Sequence, residues 1–266
     1  MRRHGQSMVS KASVFLLVGL LAVASACSSS NSEGPDDVVV PPIYIQARIL
    51  SLLSGLSFLE ALQVVHVCTE ITCATGISTA VVTVNGTALT FNNDPEYHGN
   101  SNEYEGNVLI SPGSRIALSV VYNGSRYEGN TTQFAENQAP TLTLPTAGST
   151  WFMDGPNFLQ WNAGTSASGA TWFAGIRDSS RQGAYPRGGN GHPGTNFAEL
   201  PIGTTKRWDI PANSLRTTGL FYGFLGVGTQ GIGNSGRTGM SISNAAPGSS
   251  LTIGLIREFR PINVIP

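Results

Sequence analysis

Ala80-Val81-Val82-Thr83-Val84-Asn85-Gly86-Thr87-Ala88-Leu89-Thr90-Phe91 reads as two alternating arms around an Asn-Gly pair. Both turn residues tolerate positive φ, so Asn-Gly between alternating runs is a strong local hairpin signal. The pattern recurs at Arg115-Ile116-Ala117-Leu118-Ser119-Val120-Val121-Tyr122, Asn123-Gly124, Ser125-Arg126-Tyr127-Glu128, after a Ser111-Pro112-Gly113 turn. Composition points the same way. Glycine supplies 32 residues and proline 15, while charged residues make up only 12%, too few for a helical bundle or coiled coil. Hydrophobic residues reach 40%, enough for a substantial core. The expectation is an all-β chain of short strands and tight turns.

Ile43-Tyr44-Ile45-Gln46-Ala47-Arg48-Ile49-Leu50 and Val64-Val65-His66-Val67 are expected as further strands. Residues 49–62 read as strand, with the near-helical spacing of Leu52, Leu53, Leu56, Leu59 and Leu62 as the competing reading. Residues 38–136 form a first β-sandwich domain with a long loop at 92–103, and Gln133–Ala139 is the joint. A second sandwich occupies 140–266. Its first strands fall within 145–162, and later ones are expected at Ala170–Arg177, Phe197–Leu200, Arg207–Ile210, Leu220–Val227, Gly239–Ser243 and Ser250–Phe259, a spacing that fits a seven-stranded sandwich. A Gly-rich insertion from Asp178 to Asn196 interrupts them, and long unstructured loops in compact domains often carry function.

Pro145-Thr146-Ala147-Gly148-Ser149-Thr150-Trp151, followed by Leu159-Gln160-Trp161, resembles the first strands of immunoglobulin-like and fibronectin-type modules. Residues 80–90 with their second hairpin resemble small sandwiches of the carboxypeptidase-regulatory and prealbumin-like type. The resemblance implies fold and not activity: two consecutive antiparallel Ig-like β-sandwiches.

Residues 1–26 read as an export signal. Arg2, Arg3 and Lys11 precede an uncharged apolar run at 12–23, and Ala24-Ser25-Ala26-Cys27 resembles the bacterial lipobox. The resemblance implies cleavage before Cys27 and a diacylglycerol on its thiol. The competing reading is an ordinary leader cut after Ala26. Residues 27–37, small, polar and acidic, read as a flexible tether. Serine after the cysteine lacks the aspartate of inner-membrane retention, which favours the outer membrane or cell surface. Outside the cytoplasm, Cys68 and Cys73 are expected to form a disulfide.

After cleavage, 12 bases face 16 acids. Residues 27–139 hold 11 acids and three bases, whereas 140–266 hold five acids and nine bases. The halves therefore differ in sign, which reads either as mutual attraction or as a basic second half that meets an anionic surface.

Catalytic motifs are not found: there is no G-x-S-x-G elbow, H-E-x-x-H or Walker sequence. Gly226-Val227-Gly228 lies in a glycine-rich strand without the strand–helix context of a nucleotide site. The acidic loop offers Asp94, Glu96, Glu103 and Glu105 as calcium oxygens, against the plainer reading of a solvated polar loop. Trp151, Trp161, Trp172 and Trp208, with Tyr185 and Tyr222, are candidates for a sugar-stacking platform, although Trp161 reads as core. On the long insertion, Tyr185 with Arg181 and Arg187 is the candidate ligand-binding trio. The expected function is a non-catalytic, membrane-anchored structural or binding module, without cofactor. Its partners would be the membrane through Cys27 and an anionic glycan or another surface protein, not nucleic acid. The alternative is a carbohydrate-active enzyme of the envelope, whose mark would be paired carboxylates in a tryptophan-lined cleft.

Overall fold

The computed structural model describes residues 42–53, 63–93, 102–165, 168–178, 185–186, 197–202, 206–232 and 239–266. Among these residues sixteen strands follow one another: β1 (Tyr44–Leu52), β2 (Gln63–Cys68), β3 (Val81–Val84), β4 (Thr87–Ala88), β5 (Thr90–Asn92), β6 (Glu103–Gly106), β7 (Arg115–Tyr122), β8 (Ser125–Thr132), β9 (Thr141–Leu144), β10 (Ser149–Phe152), β11 (Asn157–Asn162), β12 (Ala170–Asp178), β13 (Ala198–Leu200), β14 (Arg207–Ile210), β15 (Gly219–Thr229) and β16 (Ser250–Ile265). Both Asn-Gly turns form as the sequence predicts. Asn85 and Asn123 have φ of 49° and 48°, and the glycines after them 80°.

The second arm of the first hairpin does not remain with the first. β4 pairs with β3, but β5 pairs with β6 in a different sheet. Leu89, between them, turns inward and is buried, and its Cδ2 occupies the space that a Cβ on Gly106 would need. One chain segment thereby stitches two layers together.

A nine-stranded sheet runs β13-β12-β15-β16-β1-β2-β6-β5, with β10 also paired to β16. Among the described residues there are also two small sheets, β4-β3-β7-β8 and β14-β11-β9. The first core packs Ile45, Ala47, Ile49, Val65, Val67 and Tyr104 of the long sheet against Val82, Val84, Ile116, Leu118, Val120 and Tyr127. The second packs Trp172, Ala174, Ile176, Phe221, Leu225 and Val227 against Leu142, Leu159, Trp161 and Ile210. Trp151 and Trp161 are buried here, and so is Trp172. These three are therefore core and not a sugar platform.

β16 serves both cores. Leu251 and Ile253 enter the first, and Leu255, Ile262 and Val264 enter the second. Alternation along a strand would send odd and even positions to opposite faces. The pairing of β15 with β16 shifts between Leu225 and Gly226, leaving Arg257 out of register. That β-bulge brings Ile262 and Val264 to the face already used by Leu251, Ile253 and Leu255. Both small sheets therefore cover the same face of the long one. The division expected between 136 and 140 is crossed in consequence: residues 240–253, from the far end of the chain, help fill the first core. The Gly239–Ser243 segment, expected as a strand, instead makes isolated bridges at Met240 and Ser243. Ser243 bonds Glu128 N–H and C=O, which closes the edge of β8.

Among the described residues the second sandwich has eight strands: Gly239–Ser243 is not one of them, and β9 and β10, which belong to different sheets, are. The joint at 133–139 is pinned on both sides. Gln133 donates to Ser51 Oγ at 2.7 Å and to Gly254 C=O at 3.2 Å, and Arg257 donates to Glu136 C=O at 2.8 Å. Residues 49–52 are strand, and the remainder of the ambiguous 49–62 stretch, from 54, lies outside the described residues. The expected Cys68–Cys73 disulfide is present, with Cα atoms 5.1 Å apart.

A third apolar cluster lies on the other face of the long sheet: Leu50, Phe173, Phe197, Phe224, Ile232 and Ile256. Its rings rest directly on glycine backbone. A Cβ on Gly175 would strike the Phe224 ring. One on Gly226 would meet the Phe173 ring at 2.5 Å and Leu255 C=O at 2.6 Å. This explains the glycine-rich run that resembled nothing catalytic. Gly226→Ala should lower stability by about 2–3 kcal/mol, because neither ring nor carbonyl can yield. Urea unfolding checks this, and an unchanged midpoint would refute the packing account. Replacing both Cys68 and Cys73 with Ala should cost about 2 kcal/mol by the same measurement, from the loop-closure entropy of so short a loop.

Candidate functional site

Strand parity decides which side chains gather on the outer face of the long sheet. In β1, Ile45, Ala47 and Ile49 point into the first core, so Gln46, Arg48 and Leu50 point away from it. In β2, Val65 and Val67 face that core and His66 the other side. In β6, Tyr104 goes inward, and its hydroxyl donates to Ile77 and Ala80 C=O at 2.9 and 2.8 Å. Glu103 and Glu105 therefore face outward. The registers Gln46 to His66, Arg48 to Val64 and Val64 to Glu105 bring these polar residues side by side.

His66 Nε2 lies 3.1 Å from Glu103 Oε2. Glu103 is also hydrogen-bonded to Glu105, and Asn92 Nδ2 donates to Glu105 Oε2 at 3.3 Å. Arg48 sits nearby with its guanidinium carbon 5.2 Å from the centre of the Phe197 ring. The Glu103 side chain is only 6% exposed and that of His66 26%. Burial pushes the Glu103 carboxyl up to about 8, aided by the hydrogen bond and the charge of Glu105 and opposed by Arg48. Burial, and next the positive charge of Arg48, holds His66 down at about 4. At neutral pH, Glu103 therefore keeps its proton and His66 lacks its second. The arrangement that satisfies all contacts has Glu103 O–H donating to the Glu105 carboxylate, while Glu103 Oε2 accepts from His66 Nε2–H.

Such a cluster can hold and pass a proton, but its donors and acceptors are used on one another. Glu103 and Glu105 belong to the calcium candidates weighed against a solvated polar loop. Instead they are bonded together and to His66 and Asn92, and Asp94 and Glu96 lie outside the described residues. Among the described residues no three His, Cys, Asp or Glu side chains are placed to hold a metal ion. Arg181 and Arg187 also lie outside the described residues, as does Cys27. Tyr185 is not a free loop contact. It exchanges backbone hydrogen bonds with Ile176 at 2.8 Å, stacks on Trp208 with centroids 5.4 Å apart, and packs on the second core. Tyr185 and Trp208 thus close the side of the second sandwich.

The local sequence places His66 and Arg48 in strands and marks neither as part of a site. The available signal was parity: polar Gln46 and Arg48 alternate with Ile45, Ala47 and Ile49, and Glu103 and Glu105 flank Tyr104. What no local pattern carries is that these three strands lie side by side.

No family model and no curated protein matches the chain. Among solved structures it is similar to domains 4 and 5 of the S-layer protein SbsC, at 10% identity over 77% of this chain and 82% of that one, with a TM-score of 0.22. It is similar to a chimeric titin Z1Z2 tandem at 13% identity over 82% and 100%, TM-score 0.21. The fibronectin(III)-like modules of Clostridium thermocellum CbhA match at 10% identity over 84% and 94%, TM-score 0.21. Scores this low carry no argument about activity. The β-sandwich fold rests on the strand pairing described above.

The cluster makes stability depend on pH. The folded-state pKa of Glu103 is raised, so its stabilising share is full below its unfolded value near 4.5 and is lost as pH climbs towards 8. His66 acts oppositely between about 4 and 6.5, gaining stability as pH rises. Above 6.5 only Glu103 remains active. The melting temperature should therefore fall by several degrees between pH 6.5 and 8.5. Glu103→Gln, which keeps both hydrogen bonds without an ionisable proton, should flatten that fall. A thermal-melt series in matched ionic strength decides it, and parallel curves for the two proteins would contradict the assignment.

Proposed function

We propose that the chain is a non-catalytic binding module, anchored to a bacterial membrane by an acylated Cys27 and held off it by the 27–37 tether. The outer membrane or cell surface is the favoured site. The lipobox-like Ala24-Ser25-Ala26-Cys27 supports the anchor, and the Cys68–Cys73 disulfide is in keeping with export. Two acyl chains or more are needed for stable attachment, since each buried methylene contributes only about 0.8 kcal/mol.

The observation that carries the non-catalytic reading is the state of Glu103 and Glu105. Glycosidase carboxylates stand roughly 5 Å apart or more, to leave room for a sugar and its attacking group. Here the two carboxyls bond each other directly, and His66, nearly always neutral, is occupied by Glu103. The tryptophans that would line a sugar cleft are spent on the second core. What the fold offers instead is rigid presentation. The shared sheet and the pinned joint hold both sandwiches in one frame, so loops at either end keep a set spacing. An anionic glycan or another surface protein is the partner class that the basic second half favours.

Growth with a labelled fatty acid should label the wild-type chain and leave Cys27→Ser unlabelled. Equal labelling of both, or of neither, would overturn the anchor. A hydrolysis screen on soluble and polymeric glycans should show no turnover, and any turnover abolished by Glu103→Gln would instead establish the enzyme reading.

A further inference from the structure

We infer that the free edge of β10 receives an extended segment of a partner protein as an added strand, with one apolar side chain of that segment in the cavity beside it. The main chain identifies the free edge. Met153 N–H donates to Ile265 C=O at 3.0 Å. The N–H and C=O of one residue point the same way and alternate along a strand. Ser149 and Trp151 therefore turn theirs to β16, and Thr150 and Phe152 turn theirs to the opposite edge. Phe152 C=O agrees with that parity: it accepts from Asn157 Nδ2 at 2.7 Å and from Gly155 N–H at 3.2 Å, and not from β16. Among the described residues nothing engages Thr150 N–H, Thr150 C=O or Phe152 N–H. The edge of β8, by contrast, is closed by Ser243 on Glu128 and by Asn244 Nδ2, which donates to Arg126 C=O at 3.0 Å. Nor does Ser149-Thr150-Trp151-Phe152 carry the charge or proline that usually blunts an edge.

A cavity of about 300 Å³ opens along β10, which lines it together with Leu144, Pro145, Gly155, Pro156, Asn157 and Phe158. One wall is fixed: the Arg207 guanidinium lies 3.7 Å from the centre of the Phe158 ring and is held by Asp209 at 2.7 Å. Leu144 and Phe152 leave apolar surface in water, Phe152 with 51% of its area exposed. No lining side chain is charged, so an ionised group entering the cavity would lose water without gaining a counter-charge, whereas an apolar one fits. The volume is at the low end for a free ligand and suits one large side chain. Asn157 is only 6% exposed, and its nitrogen takes the place at Phe152 C=O that the N–H of a neighbouring strand would hold. Its Oδ1 accepts nothing among the described residues, and an incoming N–H would satisfy it. An unpaired main chain, an unfilled acceptor and an uncharged cavity together match an added strand, in which main-chain bonds give affinity and the pocket gives specificity. The inference gives the surface-protein partner of the binding-module reading a place to dock, and rests on that reading in this respect alone. A failure of fatty-acid labelling would overturn the anchor and leave the following test untouched.

The purified Cys27→Ser chain, which lacks the proposed acyl anchor, is immobilised and used to select random peptides displayed on phage. The enriched sequences are remade as labelled synthetic peptides and measured by fluorescence anisotropy. Peptides with alternating apolar residues are expected, and their binding should weaken about tenfold or more in Thr150→Pro, which removes the edge N–H. Thr150→Val keeps that N–H and should bind as the parent does. Hydrogen exchange gives a readout that needs no variant. The Thr150 amide should exchange fast in the free chain and slowly once peptide is added, while the Trp151 amide, on the β16 side, stays protected in both. No enrichment, peptides that bind Thr150→Pro as tightly as the parent, or a Thr150 amide already protected in the free chain overturns the site. A dimer that sediments in the parent and is absent from Thr150→Pro would give the edge to a second copy of this chain and overturn the peptide partner.

Discussion

Both hydrophobic cores hang on the parallel pairing of β1 with β16. Seven register pairs, from Gln46 with Ser250 to Leu52 with Ile256, join strands some 200 residues apart in sequence. Without that ladder there would be two separate sandwiches on a linker. With it, β16 completes the hydrophobic cores of both. Its one bulge, at Arg257, keeps its apolar residues on a single face across that span. Loss of this strand would open both cores at once, so the two sandwiches should resist unfolding as one cooperative unit. Long-range parallel pairing also carries a high loop-closure cost and slows folding.

Such a junction brings polar backbone into a dry place, and two glutamines settle it. Gln63 donates to Leu50 and Val108 C=O and accepts from Val108 N–H, all while fully buried. Gln133 does similar work between Ser51, Gly254 and Phe134 N–H. A primary amide has donors and an acceptor on one rigid fork, so it can satisfy backbone groups of several strands at once, and an unsatisfied buried group costs about 1–3 kcal/mol. The ionisable cluster on the outer face is the less settled counterpart. Arg48, Glu103 and His66 are held close by strands that were paired for other reasons. Each is driven toward its neutral form by burial, and only Glu103 and His66 reach it at neutral pH. Electrostatics there follow from topology rather than from local design.

The outer face also shows how glycine can organise a sheet. Where rings lie flat on backbone, as Phe224 does on Gly175 and Phe173 on Gly226, a side chain has been removed from the sheet so that one from another strand can take its place. The cost is a more flexible unfolded chain. The gain is a third cluster that holds Phe197, at the end of the long insertion, against the sheet beside Arg48.

The local elements were legible in the chain. Both Asn-Gly turns, the strands at Arg115–Tyr122 and Arg207–Ile210, the burial of Trp161 and the disulfide follow from neighbours in the chain, because turn chemistry, alternation and short loops act over a few residues. The outward parity of Arg48, His66, Glu103 and Glu105 was equally present in the alternation of β1, β2 and β6. Which strands lie beside which was settled by long-range packing. The same alternation fits β16 whether it closes one sandwich or two, and Leu89 gives no local sign that its arm changes sheets. Nor does any local run of residues state that Tyr185 will stack on Trp208. Strand pairing beyond a hairpin is set by the burial of whole faces, a sum over residues far apart in sequence, and so the site assembled from those pairings is written in no single stretch.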